Sequence, residues 1–272
     1  MSSTSVSISV DASRDRRIPF SLVRDTFAIM QRNLIAYRRV PQLLVFSTIQ
    51  PVVFVLMFRY VFGGAIKVPG FHHPYVDYLM PGIFVQTVVF GAIATAIGLA
   101  TDMKSGLMER FHALPMARSA VLTGRTTADL ARNVFVVILM MTVGFLVGWR
   151  IHTNVLALIL GALLVLLFGY SMSWIFATVG LAVGDPETAQ AAAFPVLAPL
   201  VFASAAFVSV ASMPGWLQVF ANHQPVSVTA QAVRGLANGG PTASYVLQAL
   251  AWDLGILAVF APIAVRLYRR AV

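Results

Sequence analysis

The chain has 272 residues, of which 58% are hydrophobic and 11% charged, where a soluble domain carries about a quarter charged residues. A globule of this length has too little interior to hide so much apolar surface, so the composition excludes a soluble fold and indicates an integral membrane protein. There is no cysteine, which excludes disulfides, thiol catalysis, zinc–thiolate sites and iron–sulfur clusters.

The first forty residues hold no uninterrupted apolar core, so no cleavable signal peptide is expected. Residues 1–17 are expected to form a disordered cytoplasmic tail, and 18–272 a single transmembrane domain. Phe20, Val23, Phe27, Met30, Leu34 and Tyr37 recur at alternating spacings of three and four, and Pro41 ends the pattern. This is the apolar stripe of a helix over 19–40. Because the stripe runs directly into a span and arginines surround it, it reads as an interfacial helix on the inner leaflet. Packing on another cytoplasmic domain is the weaker alternative.

A membrane-crossing helix needs roughly 20 mostly apolar residues. Six stretches qualify: Leu43–Phe62, Leu79–Ala100, Asn133–Gly148, Val155–Val183, Ala191–Ala211 and Tyr245–Val265. The third is short as written and its helix is expected to begin earlier, while the fourth is long enough to tilt. The fold class is therefore all-α, a polytopic protein of six transmembrane helices with interfacial, connector and re-entrant helices added. Residues 1–42, the connection between spans two and three, and the C-terminal tail carry seven, five and three basic residues; the opposite loops hold Lys67, Arg150 and Arg234 alone. The positive-inside rule then puts both termini in the cytoplasm, and this asymmetry accounts for the basic excess without a nucleic-acid partner.

The connection from Thr101 to Arg132 is far longer than a hairpin requires. Met103, Leu107, Phe111 and Leu114 make a helical stripe over Asp102–Leu114, flanked by Lys104, Glu109, Arg110 and His112. Asp102 is the expected N-cap and Pro115 lies past the end. A short amphipathic helix between two spans suits docking into a groove of a soluble partner; a second interfacial helix is the alternative. Arg125, Asp129 and Arg132, one turn apart, form an expected ion-pair ladder of structural role. Gly184-Asp185-Pro186 reads as a C-cap, an N-cap and a first helical residue.

Beyond span five, Met213–Gly240 is too apolar for an exposed loop. One cluster holds Trp216, Leu217 and Phe220, and another follows Gln224-Pro225 up to Arg234, so two short re-entrant helices are expected, either gating a path or shielding the span ends. His223 reads as a polar residue at a helix end. His72, His73 and Asp77 cluster in the first outer loop, but adjacent histidines seldom chelate one ion and no further ligand is evident, so no metal site is expected.

Polar residues inside spans are few: Gln50 beside Pro51, Gln86, and Asp253. Asp253 should cost about 2–3 kcal/mol to insert and needs a partner, with Arg59, Arg234 and Gln86 the candidates. A structural tie between helices is favoured over a polar site on a transport path. The pairs Gly144-x-x-x-Gly148 and Gly180-x-x-x-Gly184 permit close helix contacts. Neither Lys67 nor Lys104 follows a glycine, so the chain has no P-loop. No catalytic constellation emerges.

Together these features resemble the permease subunits of type-2 ABC exporters, in the branch of the daunorubicin-resistance permeases. Two stretches carry the resemblance: Thr101–Arg125, with Gly106, Glu109 and Pro115 matching the family's coupling region, and Met213–Gly235, similar to its external re-entrant segment. The chain departs from common family forms in having Gln224-Pro225 for Asn-Pro and Asp102 for Glu. The resemblance implies a bacterial plasma-membrane assembly of two permeases, a homodimer or a pair with a sister chain, and two ATPases. The helix around Gly106–Leu114 then sits in a cleft of the ATPase, and Phe20–Tyr37 is the connecting helix. ATP and Mg belong to the partner, the chain itself being no enzyme and carrying no cofactor. The sparse intramembrane charge suits a lipophilic or amphipathic cargo: a drug, lipid or glycolipid. The alternative is an ion- or proton-coupled secondary transporter working through Asp253, disfavoured because no inverted repeat is apparent.

Overall fold

The computed structural model describes residues 19–39, 41–66, 68–112 and 118–270. The expected tail over 1–17 lies outside the described residues, as do Leu114 and Pro115 of the connector. Regular structure among the described residues is helical: α1 (Pro19–Arg39), α2 (Pro41–Leu56) continued by a π turn (Met57–Val61), α3 (Tyr75–Gly91), α4 (Ile93–Lys104), α5 (Leu107–His112), α6 (Arg118–Val147), α7 (Val155–Val183), α8 (Pro186–Phe202), α9 (Gly215–His223), α10 (Pro225–Asn238) and α11 (Ala243–Arg270).

Four helical stretches are long and apolar enough to cross a membrane: Tyr75–Lys104, Ala120–Val147, Val155–Val183 and Ala243–Arg270. They match expected spans two, three, four and six, and the third does begin earlier than its apolar run. The first and fifth expected spans are shorter helices. α2 passes into the π turn, and α8 stops at Phe202, well short of Ala211.

The early end of α8 has a physical cause. Pro195 and Pro199 interrupt its amide donors, and after Phe202 the backbone presses against α3 at Gly82, where no Cβ would fit beside Ala206. Carbonyls freed in an apolar surrounding need donors. Tyr75 Oη donates to Phe207 O at 2.8 Å, Tyr78 Oη to Val208 O at 3.0 Å, and Arg234 Nη2 to Ala205 O at 2.9 Å. Side chains from α3 and α10 thus replace the missing helix ladder.

α7 is the central element, in contact with α3, α4, α6, α8, α10 and α11. Small residues let the others approach: Gly180 meets the α4 backbone at Ala96, and Gly169 meets Val88 of α3. Asn154 caps α7, accepting from Ala157 N at 2.7 Å. Its other end is the expected junction: Gly184 adopts φ +71°, Asp185 accepts from Thr188 N at 3.0 Å, and Pro186 opens α8. The main core runs through Phe84, Met140, Trp149, Phe168 and Phe176. A smaller core around Met108, Leu122, Trp174 and Tyr268 sits at the end rich in basic residues.

α1 packs along α6. Thr26 and Thr123 hydroxyls meet at 3.0 Å, and Ile29 lies over Gly124. At about 100° per residue, the buried Asp25, Ile29 and Asn33 face points away from the Phe27, Met30 and Leu34 stripe. Phe27 is accordingly 58% exposed. The helix therefore uses one face for α6 and leaves the opposite, apolar face open. The side chains of Phe20, Val23 and Tyr37 lie outside the described residues.

A Cβ at Gly124 would stand 2.7 Å from Ile29 Cβ and 2.8 Å from Thr26 O. Gly124→Leu should therefore separate α1 from α6 at a cost of about 1–3 kcal/mol. The check is a lower thermal-unfolding midpoint in detergent, with earlier proteolysis within 19–39.

Candidate functional site

Asp102 is not the N-cap of a connector helix. α4 continues through it to Lys104, and the chain turns at Gly106, which has φ +68°, before α5 begins at Leu107. The expected continuous helix over Asp102–Leu114 is thus broken, and Met103 and Leu107 stand on different helices. The break follows from glycine's freedom to adopt a left-handed backbone, which ends α4 cleanly. On α5, Met108 is buried in the small core while Glu109 is exposed. The side chains of Arg110 and Phe111 lie outside the described residues.

Asp102 instead anchors an ionic hub. It accepts from Arg32 Nη2 of α1 at 3.3 Å and stands 3.6 Å from Arg125 Nη1 of α6. One turn deeper, Asp129 is fully buried, 3.9 Å from Arg125 Nε and 3.8 Å from Arg132 Nη1, and accepts from Thr95 Oγ1 at 2.6 Å. The expected ladder is therefore part of a largely buried network that joins α1, α4 and α6. Its room comes from α4 and the end of α3: a Cβ at Gly98 would collide with the Arg125 guanidinium, and one at Gly91 would lie 3.0 Å from Arg132 Nη2. Gly91, Thr95 and Gly98, spaced four and three apart, are the signal in the sequence that could have revealed it.

The hub also repairs a helix break. α3 and α4 are separated at Ala92, where Thr95 N bonds back to Ala92 O at 3.0 Å. Gly91 O accepts from Arg132 Nη2 at 2.6 Å instead. Arg132 in turn lines a cavity of about 110 Å³ that also contains Gln50, Gln86 and Thr87. Two of the three predicted intramembrane polar residues thus share one cavity. Asp253 lies elsewhere, fully buried, accepting from Ser171 Oγ of α7 at 2.8 Å. None of the expected partners reaches it: Arg59 bonds Val147 O, and Arg234 is engaged at the other end. The contact is a tie between α7 and α11.

The segment expected to re-enter the membrane divides into two helices at Gln224-Pro225, as its composition suggested. α9 is exposed, with Trp216 at 76% and Phe220 at 42%. α10 is buried against α3, α7 and α11. Gln224 caps α10 through Val226 N at 3.0 Å and donates to Leu200 O at 2.9 Å. Arg234 donates to Tyr78 O at 3.1 Å and stacks 3.5 Å above the Tyr78 ring. These residues line or border a second, larger cavity of about 330 Å³ at the end opposite the hub.

At the hub end, Lys104 Nζ bonds Asp185 Oδ1 at 2.7 Å. This bond, then those from Thr188, holds the exposed Asp185 carboxyl well below the usual carboxylate range, at about 2. A depressed folded-state value stabilises above the ordinary carboxylate range and is lost only as pH falls through about 2, so this contact persists through the physiological range.

Removing Asp129 would take from the buried Arg132 and the half-buried Arg125 the carboxylate they share. Asp129→Ala should cost about 3–5 kcal/mol, read as loss of a monodisperse folded species in detergent. Asp129→Asn, which still accepts from Thr95, should retain more folded protein than Asp129→Ala.

Residues 24–237 match the family model described as ABC-2 type transporter. The chain is 35% identical over 247 residues to the daunorubicin resistance ABC transporter permease protein DrrB1 of Streptomyces coeruleorubidus, covering 91% of this chain and 87% of that one. It is 29% identical over 226 residues to the probable doxorubicin resistance ABC transporter permease protein DrrC of Mycobacterium tuberculosis, covering 83% and 81%. It is 23% identical over 219 residues to the putative transport permease ycf38 of Cyanophora paradoxa, covering 80% and 75%. A membrane-embedded bundle with a family match over most of its length leaves one assignment: the chain belongs to the ABC-2 type transporter family of permeases.

Proposed function

We propose that this chain is the transmembrane half of an ATP-driven exporter of lipophilic or amphipathic molecules, powered by a separate ATPase subunit that holds the ATP and Mg²⁺. Its two most similar relatives reported above are named for resistance to daunorubicin and doxorubicin, so planar amphipathic drugs are the first cargo to try. In this reading the chain crosses the plasma membrane six times with both termini in the cytoplasm, α2 with its π turn and α8 supplying the two shorter crossings.

The observation that carries the proposal is the placement of α5. This helix emerges from the ionic hub, is pinned by Met108 in the small core, and presents Glu109 to solvent. A push on α5 is passed to α4, from there to Arg125 and Arg132 of α6, and so to the cavity holding Gln50 and Gln86. That cavity, at about 110 Å³, is smaller than the roughly 300–1,000 Å³ of a drug-sized pocket. A second permease chain, or an opened state, must complete it. The exposed α2 stripe of Val45, Ile49, Val53 and Leu56 is the face we assign to that partner.

Two measurements test the reading. Leu107→Asp with Phe111→Asp should abolish co-purification with the co-expressed ATPase while the permease still inserts; unchanged association sinks the docking assignment. In cells expressing both subunits, doxorubicin efflux should need an intact ATPase and survive Asp253→Asn. Efflux that runs on an ion gradient without ATPase, and stops in Asp253→Asn, would establish the secondary-transporter alternative instead.

A further inference from the structure

The end of the molecule opposite the hub carries a second cluster of ionisable side chains, separate from the residues assigned to docking and to the smaller cavity. His73 comes from the turn before α3, Asp77 from the first turn of α3, and His152 from the turn between α6 and α7. Their potential ligand atoms all lie within 4.8 Å of one another. His72, next to His73 in sequence, is not part of the group.

Asp77 is the fixed member, 1% exposed. Its Oδ1 accepts from Arg150 N at 2.9 Å, and its Oδ2 faces His152 Nε2 at 2.9 Å. Its own carbonyl accepts from Asn238 Nδ2 at 2.8 Å, while His152 N donates to Ala237 O at 2.9 Å. The carboxylate and the His152 backbone are therefore held by three separate elements before any ion arrives. The two imidazoles are the exposed members, and they stack with ring centroids 3.8 Å apart.

We propose that His73, Asp77 and His152 form a zinc site. Zinc favours four ligands at about 2.0–2.2 Å from imidazole nitrogen and carboxylate oxygen, so neighbouring donors stand ~3.4 Å apart in a tetrahedral shell. The Asp77–His152 pair is already near that spacing. His73 completes the set when its exposed ring unstacks and turns one nitrogen inward, a movement about its own side-chain torsions. The backbone N–H on Asp77 Oδ1 is the outer-shell support that ligating carboxylates usually have, and water fills the fourth position. Two imidazoles and one carboxylate, without thiolate, suit a borderline divalent ion better than calcium or magnesium, which take oxygen shells.

The bound ion would staple the start of α3 to the α6–α7 turn. Asn238, hydrogen-bonded to Asp77, and Phe71, whose ring meets His73 edge-on, both line the 330 Å³ cavity. Zinc would thus stiffen one rim of that cavity. This inference is independent of cargo and of the ATPase.

The test uses the purified full-length chain in detergent, carrying an affinity tag without histidine, titrated with Zn²⁺ alone against a chromogenic chelator. The expected result is one ion per chain. His73→Ala and His152→Ala should each lower affinity by more than the roughly 10–100-fold that outer-shell substitutions cost, and His72→Ala should leave it unchanged. The His73 ring is solvent-exposed, so the zinc-free His73→Ala variant should keep the unfolding midpoint of the parent to within a few degrees, which separates lost ligation from lost folding. His152→Ala, which also takes a partner from the buried Asp77, is compared with His152→Gln, expected to fold like the parent and still bind zinc weakly. No binding at micromolar zinc, or a His72→Ala variant as weakened as His73→Ala, overturns the site.

Discussion

Hydrocarbon offers a free carbonyl no hydrogen bond, and each unsatisfied backbone group there costs several kcal/mol. Much of this architecture answers that constraint at the places where helices stop inside the bundle. Arg132 takes the carbonyl at the α3–α4 break, and Tyr75, Tyr78 and Arg234 take those beyond α8. Gln224 serves both the end of α8 and the start of α10. Polar residues that look misplaced in an apolar sequence are therefore the donors that make irregular backbone tolerable. Their positions, more than the apolar runs, mark where α3 and α8 end.

The same constraint explains what the sequence revealed and what it hid. Helices α7, α11 and the long α6 were legible because uniform apolarity and length mark them, and the Gly184-Asp185-Pro186 junction because capping chemistry is local. The end of α8 was not, since Ala203–Ser209 is as apolar as a span and leaves the helix only because Gly82, Tyr78 and Arg234 receive it. Asp253 was recognised as needing a partner, yet a serine on α7 supplies it rather than an arginine. The Arg125–Asp129–Arg132 spacing was visible, but not its burial, which depends on the small residues of α3 and α4. His152 lies about eighty residues from His73, and the contacts of α3 and α10 with the α6–α7 turn bring them together.

Charge is distributed with comparable economy. Three guanidinium groups and two carboxylates, from Arg32, Asp102, Arg125, Asp129 and Arg132, gather where α1, α4 and α6 meet. A buried network of this kind contributes little net stability against an apolar replacement, and its better-attested use is to fix one register among several. Here it sets how α4 lies on α6. The ties across the membrane interior are neutral or nearly so: a hydroxyl on Asp253, glycine contacts, and ring stacking such as Phe58 on Phe207 at 4.7 Å. Among the described residues the guanidinium–carboxylate pairs gather near the connector, and the interior relies on hydroxyl, glycine and ring contacts.

The central placement of α7 has one more consequence. Packed by α3, α4, α6, α8, α10 and α11, it is the element the others share: Gly180 brings its second half against the α4 backbone, while Leu156, Ile159, Leu160 and Leu163 of its first half stay exposed. Under the function proposed above, a working stroke would displace what is mounted at the perimeter, α2 and the greasy, exposed α9, and the lipid around those two helices would become one of the moving parts.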